Sequence, residues 1–174
     1  MDFKLRNVQV SDMKKINAFF DEVIEHTLLK EGIACSQEEI EEEINDKIIK
    51  VKDSLKENSL TDFLMAEIDG VIIATISINP PGEFSKQHMG SKAENVLEIA
   101  SLYVKPSYQS RGIGKQLLNY ATGELKTRGY KGFLLDSGYK EAQKVWQHLL
   151  GKPDRVLKDF WEMGADHMFW YKQL

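Results

Sequence analysis

The sequence predicts an α/β fold built around a mixed sheet, on three observations. Short apolar runs of strand character are interleaved with segments whose apolar residues recur at helical spacing. The pair Asp69-Gly70 joins two of the runs as a hairpin turn, because both positions tolerate positive φ. A further run, ending before Pro106, passes through a glycine-bearing turn straight into an amphipathic helix, as layered α/β chains do. The chain has 174 residues, which predicts one domain over residues 1–174.

In chain order, residues 3–10 read as a first strand, with Phe3, Leu5 and Val8 as its apolar positions. Ser11 or Asp12 can cap the helix that follows, whose apolar stripe is Met13, Ile16, Phe20 and Val23. Ser36-Gln37-Glu38-Glu39 is a capping box that starts a second helix, striped by Ile40, Ile44, Ile48, Val51 and Leu55. The acidic run Glu41-Glu42-Glu43 reads as its solvated face near the favourable end of the dipole. Residues 62–68 and 71–78 are strands, and Pro80-Pro81-Gly82 stops the second. Residues 82–94 are polar and read as a loop. A strand over 96–104, a helix over 112–128 with Gly129 at its C-cap, a short buried strand over 133–136 and a helix over 141–150 follow. Residues 156–161 and 168–171 form a closing hairpin around Gly164. The predicted order is β-α-α-β-β-β-α-β-α-β-β.

Composition narrows the function classes. Hydrophobic residues at 42% and charged residues at 29% argue against disorder. A net charge of −4 without a long basic run disfavours nucleic acid and anionic membrane as partners, and suits a basic small molecule or peptide. The N-terminal residues lack a signal-peptide pattern and no apolar run reaches membrane-spanning length. Cys35 is the only cysteine, which fits a reducing compartment, so the expected address is cytoplasmic. His26, His88, His148 and His167 show no metal-ligand spacing, so no metal is expected.

The stretch Leu102-Tyr103-Val104-Lys105-Pro106-Ser107-Tyr108-Gln109-Ser110-Arg111-Gly112-Ile113-Gly114-Lys115 carries the chemistry. The first amides of a helix have no internal partner and, with the dipole, attract an anion. Gly112 and Gly114 let that anion approach the backbone, and Arg111 and Lys115 add positive charge. This predicts phosphate or pyrophosphate binding. A Walker loop would need glycine in place of Gln109 and Ser or Thr in place of Gln116. A dinucleotide fingerprint would need a small residue in place of Leu117. The plainer alternative is a tight strand-to-helix turn with no ligand.

The pattern Gln-x-x-Gly-x-Gly of Gln109, Gly112 and Gly114, set between a Val-x-Pro strand end and an amphipathic helix, resembles the pyrophosphate motif of the GNAT superfamily of N-acetyltransferases. The element order along nearly the whole chain is also similar. The resemblance implies the acyl-CoA N-acyltransferase fold, a mostly antiparallel sheet with a V-shaped splay between the fourth and fifth strands. It implies acetyl-CoA as cosubstrate, held by the segment Gln109, Ser110, Arg111, Gly112, Ile113, Gly114 and Lys115, with its pyrophosphate on the backbone amides of Arg111 to Lys115. The pantetheine arm would pair with the strand edge at Leu102, Tyr103 and Val104. The partner would be a small-molecule or peptide amine acceptor, and dimers are common in the superfamily.

Acetylating an amine whose pKa is about 10.4 requires a base. Glu98, eleven residues before Gln109, resembles the base glutamate that some members place at this offset. Facing inward from an apolar strand it would have a raised pKa; facing solvent, or paired with a lysine, it would not. The superfamily stabilises the oxyanion with a strand amide, here in the Leu102–Tyr103 region. The sequence departs from the family pattern at Trp146, which stands where many relatives carry a tyrosine that protonates the leaving thiolate. Trp146 reads as core. Tyr139 is seven residues earlier, and Tyr103 and Tyr108 are speculative acids. Cys35, just before a helix, is expected to have a lowered pKa. Trp161, Phe169 and Trp170 read as core or subunit-interface residues. The departure at Trp146 keeps a second reading open, an acyl-CoA-binding sensor with little catalysis.

Overall fold

A computed structural model describes residues 2–174. Seven strands hydrogen-bond in the order β1-β2-β3-β4-β5-β7-β6, mostly antiparallel, with β4 and β5 parallel. They are β1 (Lys4–Asn7), β2 (Asp62–Ile68), β3 (Val71–Asn79), β4 (Leu97–Val104), β5 (Gly132–Ser137), β6 (Arg155–Glu162) and β7 (Ala165–Gln173). The helices are α1 (Met13–Glu31), α2 (Gln37–Ser54), α3 (Glu83–Met89), α4 (Ile113–Thr127) and α5 (Lys140–Leu150). Among the described residues, no helix is long and apolar enough to cross a membrane. The chain divides into two compact units, Met1–Ile78 with Ser101–Leu117, and Asn79–Ala100 with Leu118–Leu174.

In the first unit, β1, β2 and β3 form an antiparallel meander, with Leu5 opposite Ala66 and Leu64 opposite Ile76. The β2–β3 turn has Asp69 at φ 49° and Gly70 at φ 76°, the backbone that an Asp-Gly hairpin requires. The expected stripes of α1 and α2 are buried at Ile16, Phe20, Val23, Ile44, Ile48 and Val51. Ser36 and Glu39 form the capping box at the start of α2. The first strand is shorter than expected, because residues 10–12 turn into a 3-10 segment. Asp12 stands at the N-cap of α1 but its side chain does not cap that helix. Its carboxylate accepts from the Gln9 amide at 2.8 Å and from the Arg6 guanidinium at 2.7 and 2.9 Å. Arg6 also donates to Glu67 at 2.8 and 3.0 Å. The Arg6 guanidinium thereby holds the Asp12 carboxyl below its ordinary value of 3.8.

In the second unit, β5 and β7 pair along their length, with Leu134 opposite Tyr171 and Asp136 opposite Phe169. β6 and β7 are joined at Met163-Gly164, Gly164 having φ 78°. The segment expected to be a polar loop instead folds as α3 followed by a 3-10 turn over Gly90–Ala93. Met89 and Ala93 pack with Val96, Leu134 and Phe169 in one apolar cluster, against which Phe84 lies. Tertiary burial, worth roughly 1.5–3 kcal/mol for a Phe or Met side chain, supplies what this short segment lacks in helical periodicity. Between β4 and β5, Leu97 registers with Phe133 and Glu98 with Leu134. Among the described residues the ladder goes no further, at the pair of strands where the splay was expected.

Candidate active site

The phosphate-loop candidates are all in the first unit. Pro106–Tyr108 form a 3-10 turn after β4, and α4 then starts at Ile113, one residue later than expected. Ser110 at φ 60° and Gly112 at φ 76° are both left-handed, so the chain reverses sharply between them. The Gln109 side-chain amide donates to the Val104 carbonyl at 3.1 Å, and Arg111 donates to the Ser107 carbonyl at 2.9 Å. These bonds tie the loop to itself. The Arg111 guanidinium also lies 5.3 Å from the Tyr108 ring centre.

The first intrahelical bond runs from the Gln116 amide to the Gly112 carbonyl at 3.1 Å. The amides of Ile113, Gly114 and Lys115 therefore fall in the first turn of α4, where no preceding helical carbonyl serves them. A Cβ on Gly112 would project into open space, so its left-handed φ, rather than crowding, calls for glycine. A Cβ on Gly114 would stand 3.4 Å from Leu102 Cδ2, an ordinary contact. Open space beside three unserved amides fits a bound diphosphate.

β4 leads into this loop. Ser101 interrupts it at φ 50° and is 8% exposed, and its hydroxyl is a buried atom with no partner among the described residues. The Ser101 carbonyl accepts from the Thr75 hydroxyl at 2.8 Å, and the Lys105 amide donates to the Ile73 carbonyl at 2.8 Å. A left-handed residue inside a strand breaks the ladder and re-aims the next peptide, here that of Leu102. Leu102, Tyr103 and Val104 are each half-buried.

Glu98 belongs to the second unit and is 5% exposed. It faces inward, the first of the two orientations weighed from the sequence. Oε1 accepts from the Ser85 hydroxyl at 2.7 Å and Oε2 from the Gly82 amide at 3.2 Å. These two bonds orient the carboxylate. Neither partner was visible in the sequence, since both lie in the segment read as a loop.

Trp146 is buried, as a core residue. Tyr139 is the extended N-cap of α5, so the helix does not reach it and the shared helical face is lost. The Tyr103 hydroxyl donates to Glu43 at 3.2 Å. Cys35 departs from expectation: burial, then Glu39 and Glu43, push its thiol pKa up, outweighing the helix terminus. Phe169 and Trp170 are core, but Trp161 is 61% exposed, because β6 is an edge strand with one face to solvent. Among the described residues, no group of three or more His, Cys, Asp or Glu is placed to hold a metal ion.

The model of the acetyltransferase (GNAT) family matches residues 23–151, which include the whole glycine loop and β4. The fold is similar to PaiA N-acetyltransferase from Thermoplasma acidophilum, solved with coenzyme A, at 22% identity, full coverage of both chains and a TM-score of 0.71. It is also similar to yncA from Salmonella typhimurium, solved with acetyl-CoA, at 16% identity, 100% and 95% coverage and a TM-score of 0.66. Ribosomal-protein-alanine N-acetyltransferase from Brucella melitensis is a third, at 18% identity, 98% and 99% coverage and a TM-score of 0.65. No curated protein matches the sequence. The chain belongs to the GNAT acetyltransferase family, and is an acyltransferase.

Proposed function

We propose that residues 1–174 act as one acetyl-CoA-dependent N-acetyltransferase domain that moves an acetyl group directly to a primary amine of a small molecule or peptide. The observation that carries this reading is the left-handed Ser110–Gly112 turn opening onto the first amides of α4. Acetyl-CoA supplies an acetyl group activated as a thioester. The amides of Arg111 to Lys115 hold its pyrophosphate, with Gln109 and Arg111 bracing the loop from within. The β4 edge at Leu102, Tyr103 and Val104 receives the pantetheine arm as an added strand, and the peptide re-aimed at Ser101 directs an amide toward the developing oxyanion. Glu98, fixed by Ser85 and Gly82, takes the proton from the acceptor ammonium directly or through a water. A cytoplasmic address and a homodimer belong to the same proposal; the lone Cys35 supports the first and the superfamily's habit the second.

A specific observation favours a second reading, an acyl-CoA sensor with little turnover. Trp146 is buried at the usual tyrosine position and Tyr139 lies off the helix. A thiol pKa near about 8.5 still makes the thiolate a tolerable leaving group without an acid. Calorimetric titration with acetyl-CoA, followed by a thiol-release assay across polyamines, aminoglycosides, amino acids and peptide N-termini, separates the readings. Binding with release on one acceptor class is the expected result. Binding without release supports the sensor, and no binding overturns both.

A further inference from the structure

In β3 every residue from 72 to 78 is buried, and all but Thr75 and Ser77 are Ile or Ala. Valine has the shape of threonine, so what Thr75 adds to this strand is one hydroxyl. A hydroxyl at 0% exposure calls for a partner, and this one donates to the Ser101 carbonyl of β4 at 2.8 Å, 26 positions along the chain. Ser101 is held at a cost. Its φ of 50° is left-handed for a residue with a Cβ, and its own hydroxyl is buried without a partner among the described residues. Such a conformation persists where its surroundings over-determine it, and the Thr75 bond is one of those restraints.

The consequence crosses one peptide plane. No peptide of the described residues is cis, so the Ser101 C=O and the Leu102 N–H are antiparallel. Thr75 draws the carbonyl toward β3, which turns the Leu102 amide away from β3. A second bond requires the same direction. The Lys105 amide donates to the Ile73 carbonyl on β3 at 2.8 Å, and amides alternate sides along a strand. The Leu102 amide, three residues earlier, therefore lies on the opposite edge of β4. The Val104 carbonyl shares that edge and accepts from the Gln109 side chain at 3.1 Å. A hydrogen bond at a carbonyl also polarises its peptide, strengthening the N–H of Leu102 as a donor by about 10–30%.

Building on the acetyltransferase reading, we propose that Thr75 is a positioning residue for acyl transfer: through the Ser101 carbonyl, its hydroxyl aims and polarises the Leu102 amide that donates to the thioester oxygen. In that step the amine nitrogen bonds the carbonyl carbon, and the C=O π pair moves onto the oxygen. When the pair returns, the C–S bond breaks and coenzyme A leaves as thiolate, while the nitrogen's proton goes to the base. Thr75 keeps its proton throughout and touches no reacting atom.

The test is infrared difference spectroscopy of the full chain with acetyl-CoA isotope-labelled at the thioester carbonyl, with calorimetry of acetyl-CoA and coenzyme A on the same samples. In the wild type the labelled band should fall to lower frequency on binding. Thr75→Val, and separately Thr75→Ala, should lose most of that shift and leave coenzyme A affinity unchanged, in chains whose melting shows them folded. Thr75→Ser should restore the shift, and Ser101→Ala, which keeps the carbonyl, should retain it. In the thiol-release assay Thr75→Val should lower kcat about tenfold at constant acetyl-CoA KM, less than the roughly 10²–10³-fold cost of deleting an oxyanion donor outright. A full shift or an unchanged kcat in Thr75→Val, no rescue by serine, or a shift lost in Ser101→Ala would overturn the proposal. Acetyl-CoA bound by the wild type with an unshifted band would overturn it alone, whereas no binding of either ligand would sink the acetyltransferase reading with it.

Discussion

The glycine loop and the polar face of β4 and β5 hold their polar groups in place by opposite means. The loop is local: Gln109, Arg111 and Gly112 act within a few residues of one another, through backbone conformation and bonds of short sequence span. The face is assembled from afar. Asp136 meets His167 across 31 positions, and Glu98 meets Ser85 across 13. A local device tolerates loss of a side chain but not of a φ angle. A distributed one tolerates backbone change elsewhere but not loss of a partner.

The largest effect should come from Glu98→Gln, which removes the base while keeping the shape: turnover falls by about 10²–10⁴-fold, most severely at low pH, with donor affinity nearly intact. Wild-type rates at every pH would remove Glu98 from the mechanism. Gly112→Glu should weaken coenzyme A by about 10²–10³-fold, because it forces a left-handed glutamate against a like charge and disrupts charge-assisted bonds. Unchanged affinity in calorimetry would remove the pyrophosphate assignment.

Arg6→Ala leaves Asp12 and Glu67 as partly buried carboxylates without their cation, and should cost about 2–3 kcal/mol in urea denaturation. Its pH dependence has a definite sign. Asp12 titrates below 3.8 when folded, so its contribution is complete above that value and is lost as pH falls through the folded value. In Arg6→Ala the acid limb of the stability curve should therefore flatten, and an unchanged limb would show that the pairing does not lower Asp12. The smallest effect is expected at the hairpin: Gly70→Ala, at φ 76°, should destabilise by about 1 kcal/mol and leave acetyl-CoA affinity in calorimetry unchanged.

What was legible in the sequence follows the same division. The capping box at Ser36, the Asp69-Gly70 turn and the glycine loop are short-range grammar, and each forms where it was read. α3 was illegible because Phe84 and Met89 alone carry its apolar signal, at a spacing that fits no helical stripe, and only Leu134 and Phe169 make burying them worthwhile. Glu98 was legible as a residue but not in its facing, which Ser85 and Gly82 reveal. His167 has no metal-ligand spacing in the sequence, and its partners are a carboxylate and an indole on other strands. The one available hint was Asp136 itself, a charge inside the apolar run Gly132–Ser137.

The outer strand β6 departs from regular pairing between Leu157 and Glu162, with Asp159 in the left-handed region at φ 50°. Lys158 reaches back to Asp166 at 2.6 Å, and the Asp159 amide donates to the same carboxylate at 3.1 Å. An intact edge would offer a passing polypeptide a row of open amides and carbonyls to zip onto. This one is kinked and charged midway, so it offers no uninterrupted row. The hairpin that carries Trp161 thereby also disfavours extension of the sheet past β6.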